Sequence, residues 1–124
     1  MDISRYHAAF PASAEGVRAA RGYAWAVAAG STQLRDVELV AAELALCAMR
    51  HSVGGAFTMT VLRDRLLDRV RIEATTHDGK WSGDEEDEVA HGCRLIILDG
   101  VADRFGHCGV AHGRAITWAE MSLT

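Results

Sequence analysis

The chain has 124 residues, of which 49% are hydrophobic and 24% are charged, and it contains a single proline. This length and composition predict one globular domain over residues 1–124, large enough to bury a core. The formal net charge of -4 and the lack of a basic run exclude broad nucleic-acid binding and a polybasic membrane patch. No apolar run approaches the ~20 residues of a membrane span, so we expect no membrane-spanning helix.

The chain is predicted to begin with a strand and a helix. Residues 1–10 precede Pro11 and are expected to form an edge strand. Ser13 is a suitable N-cap for a helix over 14–29, because its hydroxyl can accept from a backbone N–H of the first turn. The residues that share one face of this helix are Val17, Ala20, Ala24, Val27 and Ala28.

A second amphipathic helix is predicted over 37–52, the segment VELVAAELALCAMRHS. Ser31 or Thr32 is its expected N-cap, and a glycine pair just beyond it is its expected end. Within the helix Glu43 and Cys47 are four residues apart, so they point the same way. The apolar face consists of Val37, Val40, Ala41, Leu44 and Ala48.

The middle of the chain predicts a β-hairpin followed by a loop. Residues 56–64 alternate apolar and polar positions, and residues 65–76 alternate again from Leu67 onward. We expect two antiparallel strands with a polar turn near Arg63-Asp64. The acidic segment 77–88 is predicted to be a loop that leads into a helix.

The last third of the chain predicts a third helix and a second hairpin. The helix is expected over 89–104, followed by strands over 104–110 and 115–121. The order of helices and hairpins favours an α+β fold.

Histidines and cysteines are concentrated in the same third, which raises the question of a zinc or copper site. Their spacing matches no zinc finger or ribbon, and two adjacent residues of a strand point to opposite faces. We therefore predict no metal site, and we keep open a nucleophilic thiol at Cys47 or Cys93. Three cysteines outside CxxC spacing predict free thiols in a reducing, cytoplasmic setting. The residues concerned are His91, Cys93, His107, Cys108 and His112.

Several segments together resemble one family. Ala42-Glu43-Leu44 and Arg50-His51 of the second helix look like the N-box of the GHKL ATPases, most closely the small anti-sigma-factor serine kinases. Residues 102–106 and the tryptophan-alanine-glutamate of the last strand resemble the same family. The resemblance implies a two-layer α/β sandwich, in which three helices cover one face of a mixed, mainly antiparallel sheet. It also implies ATP and magnesium as cofactors, Glu43 as general base and a possible homodimer.

The chain departs from this family where the chemistry is expected. Cys47 stands at the position of the magnesium-binding asparagine, and Thr76 stands where an aspartate contacts adenine. Arg94 replaces the second glycine of the phosphate-binding turn, and acidic residues over 84–88 would repel a triphosphate. The pocket implied by the resemblance consists of Cys47, His51, Thr76, Asp78, Gly79, Gly92, Cys93 and Arg94.

Three functions follow as hypotheses. The leading one is a regulatory protein related to anti-sigma factors, with a degenerate ATP-binding domain, that binds a sigma factor or an anti-anti-sigma protein. The second is an active serine kinase of an anti-anti-sigma partner, with Glu43 as its base. The third is a repurposed pocket that binds or transforms a different small molecule.

Overall fold

The computed structural model describes residues 2–52, 55–77, 95–109 and 114–124. Within these ranges five strands and three helices follow one another along the chain. The elements are β1 (Ile3–Pro11), α1 (Ala14–Val27), α2 (Leu34–His51), β2 (Ala56–Asp64), β3 (Arg69–Thr76), α3 (Leu95–Val101), β4 (Arg104–Gly109) and β5 (Ala115–Ser122).

The strands form one sheet in the order β1-β2-β3-β5-β4. Every pair among the described strands is antiparallel. The predicted α+β class and two-layer architecture are therefore confirmed, whereas the expectation of a mixed sheet is wrong for the described strands. β5 lies between β3 and β4 and is antiparallel to both.

The core lies between the helices and one face of this sheet. Buried side chains of all three helices, among them Ala24, Val40 and Leu98, join one cluster with Phe57 and Ile72 of the strands. In β3 and β5 buried and half-buried positions alternate strictly, as expected for a sheet covered on one face. We call the face that packs on the helices the covered face and the opposite one the open face.

The start of α1 is fixed as the sequence predicts. Ser13 is extended and its Oγ accepts a hydrogen bond from the N–H of Gly16 at 3.1 Å. Gly16 also packs directly against β1, because a Cβ at this position would lie 1.7 Å from the carbonyl oxygen of Pro11. Only glycine allows this approach of helix and strand.

The start of α2 differs from the prediction. Gln33 is the N-cap and its side chain makes no capping hydrogen bond, so the assignment of Ser31 or Thr32 as the cap is wrong. The hydroxyls of both residues instead donate to the carbonyl oxygen of Leu123, at 3.0 and 3.4 Å. The Oγ of Ser31 also accepts from the N–H of Gln33 at 3.0 Å. The polar residues before α2 thus attach the helix to the last residues of the described chain.

The first hairpin turns later than predicted. β2 ends at Asp64 and β3 begins at Arg69. The turn therefore occupies 65–68, and its prediction near Arg63-Asp64 is wrong. The Oδ1 of Asp64 accepts from the N–H groups of Leu66 and Leu67 at 3.0 and 3.1 Å. Asp68 has a left-handed φ of 52°, which an aspartate tolerates. Leu67 was expected in the strand but lies 66% exposed in the turn.

The remaining boundaries lie close to the predicted ones. The expected edge strand is present as β1, and β4 and β5 match the second predicted hairpin. The third helix begins at Leu95 and ends at Val101, whereas the predicted segment 89–94 lies outside the described residues. None of the described helices combines the length and hydropathy that a membrane span needs.

The open face carries charged and aromatic side chains. Arg71 donates to Glu73 at 2.8 Å and to Glu120 at 2.7 Å, and its guanidinium lies 4.3 Å from the ring centre of Trp118. The indole covers Gly106, where a Cβ would lie 2.8 Å from Cζ2 of the ring. Burial lowers the pKa of Arg71, but the hydrogen bonds to Glu73 and Glu120 outweigh it and raise that pKa above its ordinary value.

Candidate functional site

The candidate site is built on the side of α2 that faces the sheet. Glu43 is only 6% exposed and Cys47 is fully buried. The two side chains, predicted to point the same way from α2, therefore both point into the protein. His51, two turns beyond Glu43, is half-buried in the last turn of the helix. Burial of a carboxylate on a mostly apolar helix face is costly, which makes Glu43 the polar residue of α2 that most needs a functional or structural reason.

Two threonines form the floor of the site on the covered face. Thr117 of β5 and Thr76 of β3 are 4% and 2% exposed. The Oγ1 of Thr117 lies 3.8 Å from the Sγ of Cys47, and the Oγ1 of Thr76 donates to the carbonyl oxygen of Ala115 at 3.4 Å. Since Thr76 is opposite Ala115 and Ala74 is opposite Thr117, both hydroxyls lie at the same end of the sheet.

Cys47 is disulfide-bonded, so the expectation of free thiols is wrong at this position. A disulfide sulfur has no proton, and the Thr117 hydroxyl is therefore the donor in their contact. Nucleophilic attack needs a thiolate, which the oxidised Cys47 does not offer. Cys93 lies outside the described residues, so its proposed role as a nucleophile stays a prediction.

The elements around the site end at a common edge of the fold. β3 ends at Thr76, β4 ends at Gly109 and β5 begins at Ala115, and these positions are neighbours in the sheet register. The Oγ of Ser52, directly after α2, donates to the carbonyl oxygen of Ala56 at the start of β2, at 2.8 Å. The site is therefore placed at strand and helix ends, where loops commonly carry ligand contacts on a rigid scaffold.

The structure describes only part of the predicted pocket. Glu43, Cys47, His51 and Thr76 are described, and the three with the lowest exposure lie on the inner side of α2 or on the covered face. The remaining predicted pocket residues lie outside the described residues. They are Asp78, Gly79, Gly92, Cys93 and Arg94.

The position of Cys47 does not fit a magnesium ion. Magnesium requires oxygen ligands in a nearly octahedral arrangement and keeps several waters. Cys47 presents a sulfur that is fully buried and already bonded. The Thr117 hydroxyl, which approaches that sulfur, is itself buried. We therefore derive no step through magnesium at this position.

Two residues of the site were not predicted as pocket residues from the sequence. Thr117 was placed in the last strand without a role, although the alternation of β5 puts it on the covered face. His107 was weighed only as a metal ligand. It is opposite Thr117 in the β4–β5 pair and its Nδ1 is buried. Strand register was the missing signal, because the sequence alone does not show which residues of β4 and β5 are opposite one another.

The predicted concentration of histidines and cysteines does not form a metal cluster in the part of the chain that the structure describes. No group of three or more histidine, cysteine, aspartate or glutamate side chains there could hold an ion. His91, Cys93 and His112 lie outside the described residues. His107 belongs to the site through its position opposite Thr117.

Comparison of the chain with protein-family models and with curated proteins finds no match. The site geometry and the motif resemblance are therefore the grounds for a functional proposal. Two features of the geometry limit the chemistry of the site: Glu43 is buried, and Cys47 is disulfide-bonded.

Proposed function

We propose that the chain is a regulatory binding protein of the anti-sigma-factor type whose domain resembles a GHKL ATPase but no longer carries out its nucleotide chemistry. Its partner would be a sigma factor or an anti-anti-sigma protein, bound through a protein interface in the cytoplasm. The partner class rests on the motif resemblance alone, since fold does not determine function. The cytoplasmic location was expected from free thiols, and the disulfide at Cys47 removes that support.

One observation carries the loss of nucleotide chemistry. The residue at the expected magnesium-binding position, Cys47, is fully buried and disulfide-bonded and packs on the Thr117 hydroxyl. A triphosphate bound through magnesium needs an oxygen ligand at this point. Glu43 is held on the same side of α2, but a general base needs access to the proton it removes, and Glu43 is 6% exposed.

The same cluster keeps the repurposed pocket as a second candidate. Glu43, Thr76 and Thr117 bring a carboxylate and two hydroxyls into an otherwise apolar interior. Buried polar groups in an apolar setting are a common feature of small-molecule sites. We expect such a ligand to be polar and not anionic, because the described buried polar groups are two hydroxyls and the carboxylate of Glu43.

The proposal is tested by calorimetric titration of the full chain with ATP, with and without magnesium, under oxidising and reducing conditions. We expect no magnesium-dependent binding in either condition. Cys47→Asn combined with Arg94→Gly should raise the nucleotide affinity if the GHKL resemblance is correct. Cys47→Ser with Arg94→Gly is the matched control, since serine removes the disulfide but does not restore the amide oxygen.

Magnesium-dependent binding of ATP to the wild-type chain at micromolar concentration would contradict the proposal. In that case the active serine kinase would be tested by phosphate transfer from ATP to an anti-anti-sigma protein. The partner class has a separate test. Sigma factors and anti-anti-sigma proteins from the same genome are mixed with the chain in size-exclusion chromatography, and failure of every one to co-elute would remove that part of the proposal.

A further inference from the structure

The outer edge of β1 is the longest unprotected edge in the described sheet. β1 is the first strand in the order, and no other described strand pairs with its outer side. Its nine residues run in unbroken register from Ile3 opposite Asp64 to Pro11 opposite Ala56. Exposed edges are normally protected by short length, bulges, lysines or internal prolines. β1 has no lysine and no bulge, and its proline is its last residue.

A groove of about 450 Å³ adjoins this edge. Its large side chains are those of Tyr6 in β1, Tyr23 in α1, Arg63 near the end of β2 and Arg65 in the turn that follows. Aliphatic residues at the end of α1 and just beyond it complete the wall. Tyr6 is opposite Val61, which is buried on the covered face, so Tyr6 points toward the helix layer. Alternate side chains of a strand added beside β1 would therefore point toward the groove.

The edge and the groove are positively charged. β1 and the groove lining contain Arg5, Arg63 and Arg65 but no aspartate or glutamate, although the whole chain has a net charge of -4. Among the described residues, none of these three arginines forms an ion pair with a carboxylate. Their side chains bond instead to neutral groups, as Arg65 does to the Oγ of Ser4 at 2.5 Å.

The two arginines of the groove have different roles. The Nη1 of Arg63 donates to the carbonyl oxygens of Val27 and Ala29 at 2.8 and 3.2 Å, so this arginine caps the C-terminal end of α1. Among the described residues, the side chain of Arg65 hydrogen-bonds with the hydroxyl of Ser4 and with Tyr6. Its guanidinium has further N–H donors for a bidentate contact with a carboxylate.

We propose that β1 binds an extended, acidic peptide segment of a partner protein as a sixth strand, with a carboxylate side chain of that segment on Arg65. Main-chain hydrogen bonds along the edge provide the affinity, and the groove selects acidic residues at alternate positions. A second copy of this chain is a poorer occupant. Pairing of two β1 edges would bring together two strands that each carry Arg5 and His7 and no acid.

The test is fluorescence anisotropy of the full chain with a labelled peptide of alternating glutamate and valine. We expect saturable binding that weakens as sodium chloride is added, because exposed charge pairs are screened. Arg65→Glu should weaken binding by about tenfold or more, since it places like charges together. Arg69→Glu is the matched control, because Arg69 lies on the open face beyond the turn, and it should leave the affinity unchanged within about twofold.

A second measurement on the wild-type chain does not depend on the folding of a variant. Methylation of alternate backbone nitrogens of the peptide should abolish binding when it removes the N–H groups that face β1, and methylation of the other set should not. Hydrogen exchange should slow at the β1 amides that point away from β2. Equal affinity of both methylated peptides, or an unchanged affinity for Arg65→Glu, would overturn the proposal. A dimer that dissociates when β1 is mutated and that excludes the peptide would also overturn it.

Discussion

The two faces of the sheet are made by alternate residues of the same strands and are stabilised in different ways. On the covered face Val61 and Ile72 are fully buried beneath the helices. On the open face their chain neighbours Leu62 and Arg71 are half-buried, and Arg71 is held by Glu120. Close packing against the helices therefore stabilises the covered face, whereas pairing of charges across strands stabilises the open face.

Substitutions on the two faces should therefore have different costs. A covered-face residue is replaced at the cost of a cavity, because the helices relax only in part. Replacement of an open-face residue mainly removes contacts with its cross-strand partners. Those contacts contribute less because water surrounds them. Pairs of substitutions test this division.

Ile72→Ala and Leu62→Ala remove the same number of carbon atoms from opposite faces. Ile72→Ala should lower the free energy of unfolding by about 3 kcal/mol, because it leaves a cavity beneath the helices. Leu62→Ala should lower it by about 1 kcal/mol, because part of that side chain already contacts water. Urea denaturation followed by circular dichroism measures both. Equal losses would show that the open face is covered in solution.

Gly106→Ala and Gly100→Ala compare a glycine under an aromatic ring with one in open space. The new methyl group of Gly106→Ala meets the ring of Trp118, and displacement of the indole should cost about 1–3 kcal/mol of unfolding free energy. No atom of the described residues lies within 4 Å of a Cβ at Gly100 in α3, so Gly100→Ala should stabilise by up to about 1 kcal/mol. Tryptophan fluorescence during denaturation reports on both, and stabilisation by Gly106→Ala would contradict the packing of Trp118.

Arg71→Met and Arg69→Met remove one guanidinium each from the open face. Arg71→Met should cost about 1 kcal/mol, because Glu73 and Glu120 lose their cation and Trp118 keeps only the more distant guanidinium of Arg104 among the described residues. Arg69→Met should cost close to nothing, since its contact with Asp103 is 4.0 Å long and exposed. The difference between the variants should shrink in high salt. A difference that is independent of salt would assign the effect to packing of the side-chain stem.

Tyr6 lies at the rim where the covered face meets the edge of the sheet. Hydrogen bonding with Arg65 and with Ser4 lowers the pKa of Tyr6 below its ordinary value. Arg65→Ala should therefore return that pKa toward about 10, as measured by tyrosinate absorbance during a pH titration. The part of the tyrosinate absorbance that is lost in Tyr6→Phe belongs to Tyr6. Arg69→Ala is the control and should leave the pKa of Tyr6 unchanged.

The lowered pKa of Tyr6 has a definite sign for stability. The folded state favours the tyrosinate, so the contribution to stability is complete only above the unfolded pKa and is lost as the pH falls through the folded one. A contribution of Tyr6 to stability that grows as the pH falls would contradict this account.

Local patterns predicted much of this fold. Alternation gave the strands, and Ser13 gave the start of α1, because both signals act over a few residues. The start of α2 and the first turn were mispredicted for different reasons. Ser31 bonds to Leu123, a contact that no local pattern reveals. The turn was misplaced because the carboxylate of Asp64 organises the residues that follow it.

The candidate site was predictable only along α2. Helical spacing placed Glu43 and Cys47 on one side, and both are buried. The contact of Cys47 with Thr117 joins residues that are 70 positions apart, which no local pattern reveals. Composition and spacing pointed to free thiols, whereas Cys47 is disulfide-bonded. The cluster of Arg71, Trp118 and Gly106 was missed for the same reason, because it depends on the register of three strands.

The bond from Ser31 to Leu123 spans 92 residues, and it has a consequence for the order of events during synthesis. A ribosome delivers Ser31 long before Leu123, so the hydroxyls before α2 have no carbonyl to bind while the intervening strands are made. Leu123 also donates its N–H to the carbonyl oxygen of Asp68 in the first turn. Both the entry to α2 and the first turn therefore reach their final arrangement only when residue 123 has left the exit tunnel.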